Sequence, residues 1–152
     1  MKTIKTKIQN DTQTKLNTPI TLILPGTVRS KKNSREKHYT KTKTGKLIQF
    51  SAASSSYRAW EMRAQQSARQ QLANYGIMNP TDQQIKLTIR AYVKGPAPDL
   101  DAVHTAVMDC LEGIAWTNDK QIQRFSENSF IRGDKKYPRT EVMFERLEDK
   151  EC

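Results

Sequence analysis

The sequence predicts an α/β chain of α+β-like character, a single-layer mixed β-sheet with two main helices packed on it. Three observations carry this reading. Ile20 to Leu24, Ile85 to Val93 and Thr140 to Leu147 are short β-branched or alternating runs of the kind that form strands. Between the strands lie two stretches, one after Ser54 and one after Asp99, whose apolar residues recur three and four apart, the period of an amphipathic helix. The order strand, helix, strand, helix, strand, strand contains no internal repeat and no second domain. The 152 residues are therefore read as one domain over residues 19–152, behind a basic N-terminal arm over 1–18 that is expected to be mobile.

The arm is rich in Lys, Thr, Gln and Asn without a strong period. Ile20 to Leu24 is closed by Pro25-Gly26, a strand with a turn behind it. Thr44-Gly45 reads as the turn of a hairpin or ordered loop between Tyr39 and Phe50. Ser54-Ser55-Ser56 offers N-cap hydroxyls to a helix with apolar Tyr57, Trp60, Ala64, Ala68 and Leu72, ending at Tyr75-Gly76. Tyr57 and Trp60 are expected in the core rather than against nucleic acid. Ile85, Leu87, Ile89 and Ala91 alternate with Lys86, Thr88 and Arg90 in a half-buried strand that runs on to Lys94-Gly95-Pro96 and delivers the chain to Asp99. Beyond Asp119, Gln121 to Ile131 is a weaker strand, Gly133 to Lys136 a turn and Thr140 to Leu147 a closing strand, the last two strands being expected to pair as a hairpin.

Net charge is +10, and all of the excess lies in residues 1–50, where twelve Lys and Arg face two acids; residues 51–152 hold fourteen of each sign. Within the basic block, Arg29, Lys31, Lys32, Arg35, Lys37, Lys41, Lys43 and Lys46 are accompanied by Glu36 alone. Lys and Arg neutralise phosphates and release counterions, so the block implies a polyanionic partner, and its density of cations suits backbone contact more than base reading. The plain alternative is a solvated basic tail. No apolar run is long enough to span a membrane, and Met1 to Lys5 lacks the apolar region of a signal peptide, so a cytoplasmic protein with no membrane partner is expected. Cys110 and Cys152 have no metal-ligand spacing and are read as reduced thiols, Cys110 as a packing residue.

The chemistry is expected in the stretch from Pro98 to Gln121. Pro98-Asp99 reads as the approach and N-cap of the second helix, with Leu100, Val103, Val107 and Leu111 on its buried face, Asp101, Thr105 and Asp109 on the opposite stripe, and Gly113 as its stop. At a rise of about 1.5 Å per residue, Asp101 and Asp109 stand roughly 12 Å apart, too far to share one ion. Asp99 and Asp101 can share one, and a turn at Asn118-Asp119 is expected to bring back a third carboxylate. Three clustered carboxylates suit a hard divalent cation, magnesium first. The plain alternative is an N-cap aspartate with solvated surface charges around it.

These residues carry a resemblance. Asp99-Leu100-Asp101, then Asp109-Cys110-Leu111-Glu112-Gly113, Trp116 and Asn118-Asp119-Lys120-Gln121 resemble, in order and spacing, the metal-binding core of the RusA family of Holliday junction resolvases, whose pattern is roughly D-L-D-N-x-x-K, D-A-L-x-G, a tryptophan and D-D-x-Q. Ser30-Lys31-Lys32-Asn33-Ser34 resembles the family's beginning, so the likeness covers roughly residues 19 to 147. Three positions depart from the pattern: Ala102 replaces its asparagine, Thr105 its lysine and Asn118 the first aspartate of its pair. The resemblance implies a RusA-like fold, a homodimer and a nuclease with Asp99, Asp101 and Asp119 as metal ligands and catalytic residues. It implies Asp109 in a supporting place and Mg2+, with Mn2+ able to substitute, as the ion.

Two functions from different classes follow. The leading one is a Mg-dependent endonuclease that resolves four-way junctions in recombination and repair, its DNA gripped by Arg29, Lys31, Lys32, Asn33, Arg35 and Lys37, with no organic cofactor. Lys120, beside Asp119, is the preferred replacement for the missing lysine; His104 is about 100 degrees off that position around the helix. The other is a junction- or DNA-binding protein that keeps the fold without efficient cleavage, which Ala102 and Thr105 favour. A small-molecule phosphohydrolase leaves the basic block unexplained.

Overall fold

The computed structural model describes residues 16–30 and 35–147, with the backbone alone over 35–40 and 48–53. One mixed sheet contains β1 (Ile20–Pro25), β4 (Ile85–Val93), β5 (Ile122–Phe125), β6 (Phe130–Gly133) and β7 (Arg139–Arg146). A separate antiparallel hairpin, β2 (Arg35–Lys41) with β3 (Leu47–Ala53), turns at Thr42–Lys46 as Thr44-Gly45 predicts, with Gly45 at φ +85°. The helices are α1 (Ser55–Asn74) and α2 (Leu100–Leu111).

Strand alternation builds the core. Leu22, Leu24, Ile85, Leu87, Ile89, Ala91, Val142 and Phe144 share one face of the sheet, and both helices bury their apolar stripes against it. Tyr57, Trp60, Ala64, Ala68 and Leu72 of α1 are all buried, as expected, and the Ser54 hydroxyl caps the helix by accepting from Tyr57 N at 3.1 Å. From α2 the buried side is Ala102, Val103, Ala106, Val107, Cys110 and Leu111. Leu100, expected on that side, is 41% exposed. It opens the helix at the sheet's rim, where there is no core left to cover it. Burial pushes the Cys110 thiol up to about 12, which suits a packing role. Cys152 lies outside the described residues, as does most of the N-terminal arm. Leu16, at its end, is already buried and bonded through its N–H to Gln83 Oε1 at 2.7 Å.

The strand order is β1-β7-β4, with β5 and β6 both alongside β4 on its far side. The hairpin expected from the last two strands does not form, because β4 lies between β6 and β7. β5 and β6 run parallel to β4, and α2 supplies the crossover that a parallel pair requires. Between β5 and β6 the edge breaks at Ser126 to Ser129. There Ser126 N donates to Leu87 O and Ile89 N donates to Ser129 Oγ, so the central strand loses no partner.

The other edge is closed by side chains. Ile23 N donates to Gln71 Oε1 and Gln71 Nε2 donates to Ile23 O, each at 2.7 Å, while the Tyr75 hydroxyl donates to Thr21 O at 3.3 Å. Through β7, strands β1 and β4 point the same way, and Lys94 N donates to Thr27 Oγ1 where both end. That end of the sheet leads to Asp99.

Candidate active site

Asp99 is the N-cap residue of α2, with φ −67° and ψ 151°; its carbonyl accepts from Val103 N at 3.1 Å. Its carboxylate makes no capping hydrogen bond, so capping does not account for an acid at this position. Asp101, in the first turn, is exposed, and the helix dipole favours both negative charges at this terminus. Beside them Thr105 donates its hydroxyl to Asp101 O at 3.0 Å. The His104 ring bonds to Leu100 O through Nδ1 at 2.8 Å and meets the Phe125 ring edge-on, centres 4.6 Å apart. Leu100, Asp101, His104, Thr105, Met108 and Phe125 line an open cavity of about 570 Å³.

Asp119 is built separately. Gly113, at φ +83°, ends α2 and lets the chain double back, with Gly113 N on Trp116 O and Ala115 N on Leu111 O. Trp116 is fully buried, packs edge-on against Phe144 and donates from Nε1 to Asp119 Oδ1 at 2.8 Å. Asn118, where the family pattern has aspartate, caps a single 3-10 turn over Asp119–Gln121 by accepting from Lys120 N at 2.8 Å. Gln121 pins this turn: it accepts from Asn118 N and donates to the carbonyls of Thr81 and Gln83, at the start of β4. Asp119 N donates to Glu112 Oε2 at 2.9 Å. Burial raises the pKa of Asp119, the Trp116 bond lowers it, and Glu112 and Asp109 raise it further.

Asp119 is thus returned to the C-terminal end of α2, beside Glu112 and Asp109, while Asp99 and Asp101 stand at the N-terminal end. A helix of 12 residues puts about 18 Å between those ends. Among the described residues no three acidic, His or Cys side chains converge to hold a metal ion. Within one chain the donor set Asp99, Asp101 and Asp119 therefore does not fit a single cation. Lys120 shares Asp119's end and is exposed. Asp109, near the C-terminal end of α2, is close enough to Asp119 for its charge to help raise that residue's pKa.

Of the expected DNA-binding residues, Arg29 is exposed in the segment after β1. Lys31, Lys32 and Asn33 lie outside the described residues, and Arg35 and Lys37 are placed in β2 by their backbone alone. The family model of endodeoxyribonuclease RusA matches residues 23–145, which takes in β2 to β6, the second half of β1, all but the last residue of β7, both helices and every aspartate above. The chain belongs to the RusA family. At family level it is a Holliday junction resolvase-type endonuclease, from a group that acts on branched DNA and generally depends on a divalent metal. No match was found among curated proteins. Among the described residues no helix is long and apolar enough to cross a membrane.

The RusA motif has two kinds of position here. Trp116, Asn118 and Gln121 hold the turn of Asp119 in place, whereas among the described residues the carboxylates of Asp99 and Asp101 have no such structural task. Sequence reasoning missed Glu112, which binds the backbone of Asp119. Its one signal was its place beside Gly113 at the helix stop.

Proposed function

We propose that the protein is a magnesium-dependent, structure-selective endonuclease that cuts four-way DNA junctions in recombination and repair, in the cytoplasm, with manganese able to replace magnesium. The supporting observation is the RusA match laid over Asp99 and Asp101, two carboxylates without a structural partner among the described residues, at the junction where the central strand feeds a helix. Such junctions collect functional groups, and oxygen ligands suit magnesium and manganese.

Because Asp119 stands by the opposite end of α2 in the same chain, the reading requires a homodimer in which one copy supplies Asp99 and Asp101 and the other Asp119. The apolar stripe Leu100, His104 and Met108, flanked by the 47% exposed Phe125, fits a second copy. Two α2 helices crossing antiparallel on this stripe about a two-fold axis bring the N-terminal end of each to the C-terminal end of the other. The contact also covers apolar surface that a lone chain leaves in water. Lys120, next to Asp119, is the cation we assign to the place of the missing lysine. The cations from Arg29 to Lys46 hold the phosphate backbone, so recognition rests on junction shape more than on sequence.

One observation favours a second reading, a DNA-binding protein without efficient cleavage. The Thr105 hydroxyl is tied to Asp101 O, and a threonine brings no positive charge beside Asp101. Incubating a labelled four-way junction with the protein, with and without Mg2+, separates the two readings. The nuclease reading expects symmetric nicks that need the metal and vanish in Asp101→Asn while junction binding persists. Tight binding with no cutting by the wild type establishes the second.

A further inference from the structure

The face of the sheet opposite the helices sets two arginines against one aromatic ring. Arg132 Cζ lies 4.1 Å and Arg90 Cζ 5.6 Å from the centre of the Phe130 ring, and Tyr92 meets that ring edge-on at 5.6 Å. Register causes this: Arg90 pairs with Phe130 and Tyr92 with Arg132, so strand alternation turns all four away from the core that holds Ile89 and Ala91. A guanidinium stacked on a ring is held flat with its N–H edge outward, pre-set for a planar or tetrahedral oxyanion.

The charges around this pair do not balance. Asp134 and Glu141 are the acids beside it, and both are held by Arg139, through Nη1 at 3.2 Å and Nε at 2.9 Å. Glu141 is Arg90's direct neighbour across β4 and β7, yet its carboxylate goes to Arg139. Among the described residues Arg90 and Arg132 have no carboxylate partner, and Arg90 Nε is buried without a hydrogen bond. Two like charges on one ring are a cost that a bound anion removes. Lys94, Lys135 and Lys136, all exposed, stand at the same end of the sheet, where β4 leads on to Asp99.

We infer that this face, opposite the two described helices, binds the phosphate backbone of a DNA arm passing the cutting site, with Arg132 and Arg90 as the anchoring pair. The inference rests on the endonuclease reading and adds a surface to it, on the opposite side of the sheet from the helix that bears the aspartates. It also amends the charge map. The fourteen cations and fourteen acids of residues 51–152 balance in number but not in space.

The test is fluorescence anisotropy of the full chain with a four-way junction over a range of salt. Arg132→Gln and the double variant Arg90→Gln with Arg132→Gln are compared with wild type. Arg146→Gln, at the opposite end of β7, controls for the loss of one charge. The inference expects weaker binding to junctions of unrelated sequence and a log–log salt slope shallower by about 1 per arginine removed, with Arg146→Gln leaving the slope in place. Arg132 is exposed, so its single variant decides the matter if the half-buried Arg90 position does not tolerate change. An unchanged slope in Arg132→Gln, or an equal drop in Arg146→Gln, overturns the inference. Failure of the wild type to bind any branched DNA is a different result and removes the endonuclease reading itself.

Discussion

The indole N–H of Trp116 donates to Asp119 Oδ1 at 2.8 Å from a ring with no exposed surface. A motif tryptophan and a motif aspartate are thereby one device: the core fixes the ring, and the ring fixes the carboxylate. Trp116→Phe keeps most of the packing and removes the donor. It should cost about 2 to 4 kcal/mol in urea unfolding, from lost volume and an unpaired acceptor. A loss below about 0.5 kcal/mol would show that Asp119 is held by other means.

Burial raises the pKa of Asp119 above the ordinary carboxylate value, with Glu112 and Asp109 adding to it against the Trp116 bond. As pH rises through that window the unfolded chain ionises first, so stability falls; below the ordinary value both states are protonated and the effect is absent. Asp119→Asn keeps an acceptor for Trp116 and removes the charge. In metal-free buffer its melting temperature should exceed that of wild type at pH about 7 and match it at pH about 3. An equal difference at both pH values contradicts the electrostatic account.

Gln71 closes the β1 edge by bonding both polar groups of Ile23. Gln71→Leu leaves Ile23 N unpaired and Ile23 O with the Ser67 hydroxyl as its remaining side-chain partner, at 3.3 Å, and reopens an edge to other chains. We expect a loss of about 1 to 3 kcal/mol together with faster aggregation on heating, followed by light scattering. Unchanged stability and solubility would show that the edge needs no seal.

Thr105 is exposed and lines the open cavity beside Asp101, so a longer side chain has room there. If the site lacks a cation, Thr105→Lys should raise the single-turnover rate of junction cleavage by at least about tenfold, and Lys120→Ala should lower it. No change in either variant of an active protein removes both side chains from the chemistry.

Much of this was legible in the sequence because periodicity is local. The stripe Tyr57 to Leu72 and the alternation Ile85 to Ala91 name their elements and buried faces without reference to a partner. Pairing is not local. Nothing in Gln121 to Ile131 says that β4 will lie between it and β7, so the expected hairpin was the natural error. The same limit governs the site. Spacing places Asp99 and Asp101 together, but the direction of the turn after Gly113 depends on where Trp116 finds a pocket and where Gln121 finds free carbonyls. That direction carries Asp119 to the opposite end of the helix.

The central claim is that the carboxylates act together across two copies, and mixing two defective variants tests it most directly. Asp101→Asn and Asp119→Asn are each expected to lose tight Mn2+ binding and junction cleavage. Co-refolded in equal amounts, they form mixed dimers in which one shared site carries both changes and the other carries none. The account predicts recovery of about a quarter of the wild-type Mn2+ sites, with matching nicking activity. Two inactive variants whose mixture stays inactive and binds no Mn2+ would contradict it, placing all three aspartates in one chain's site.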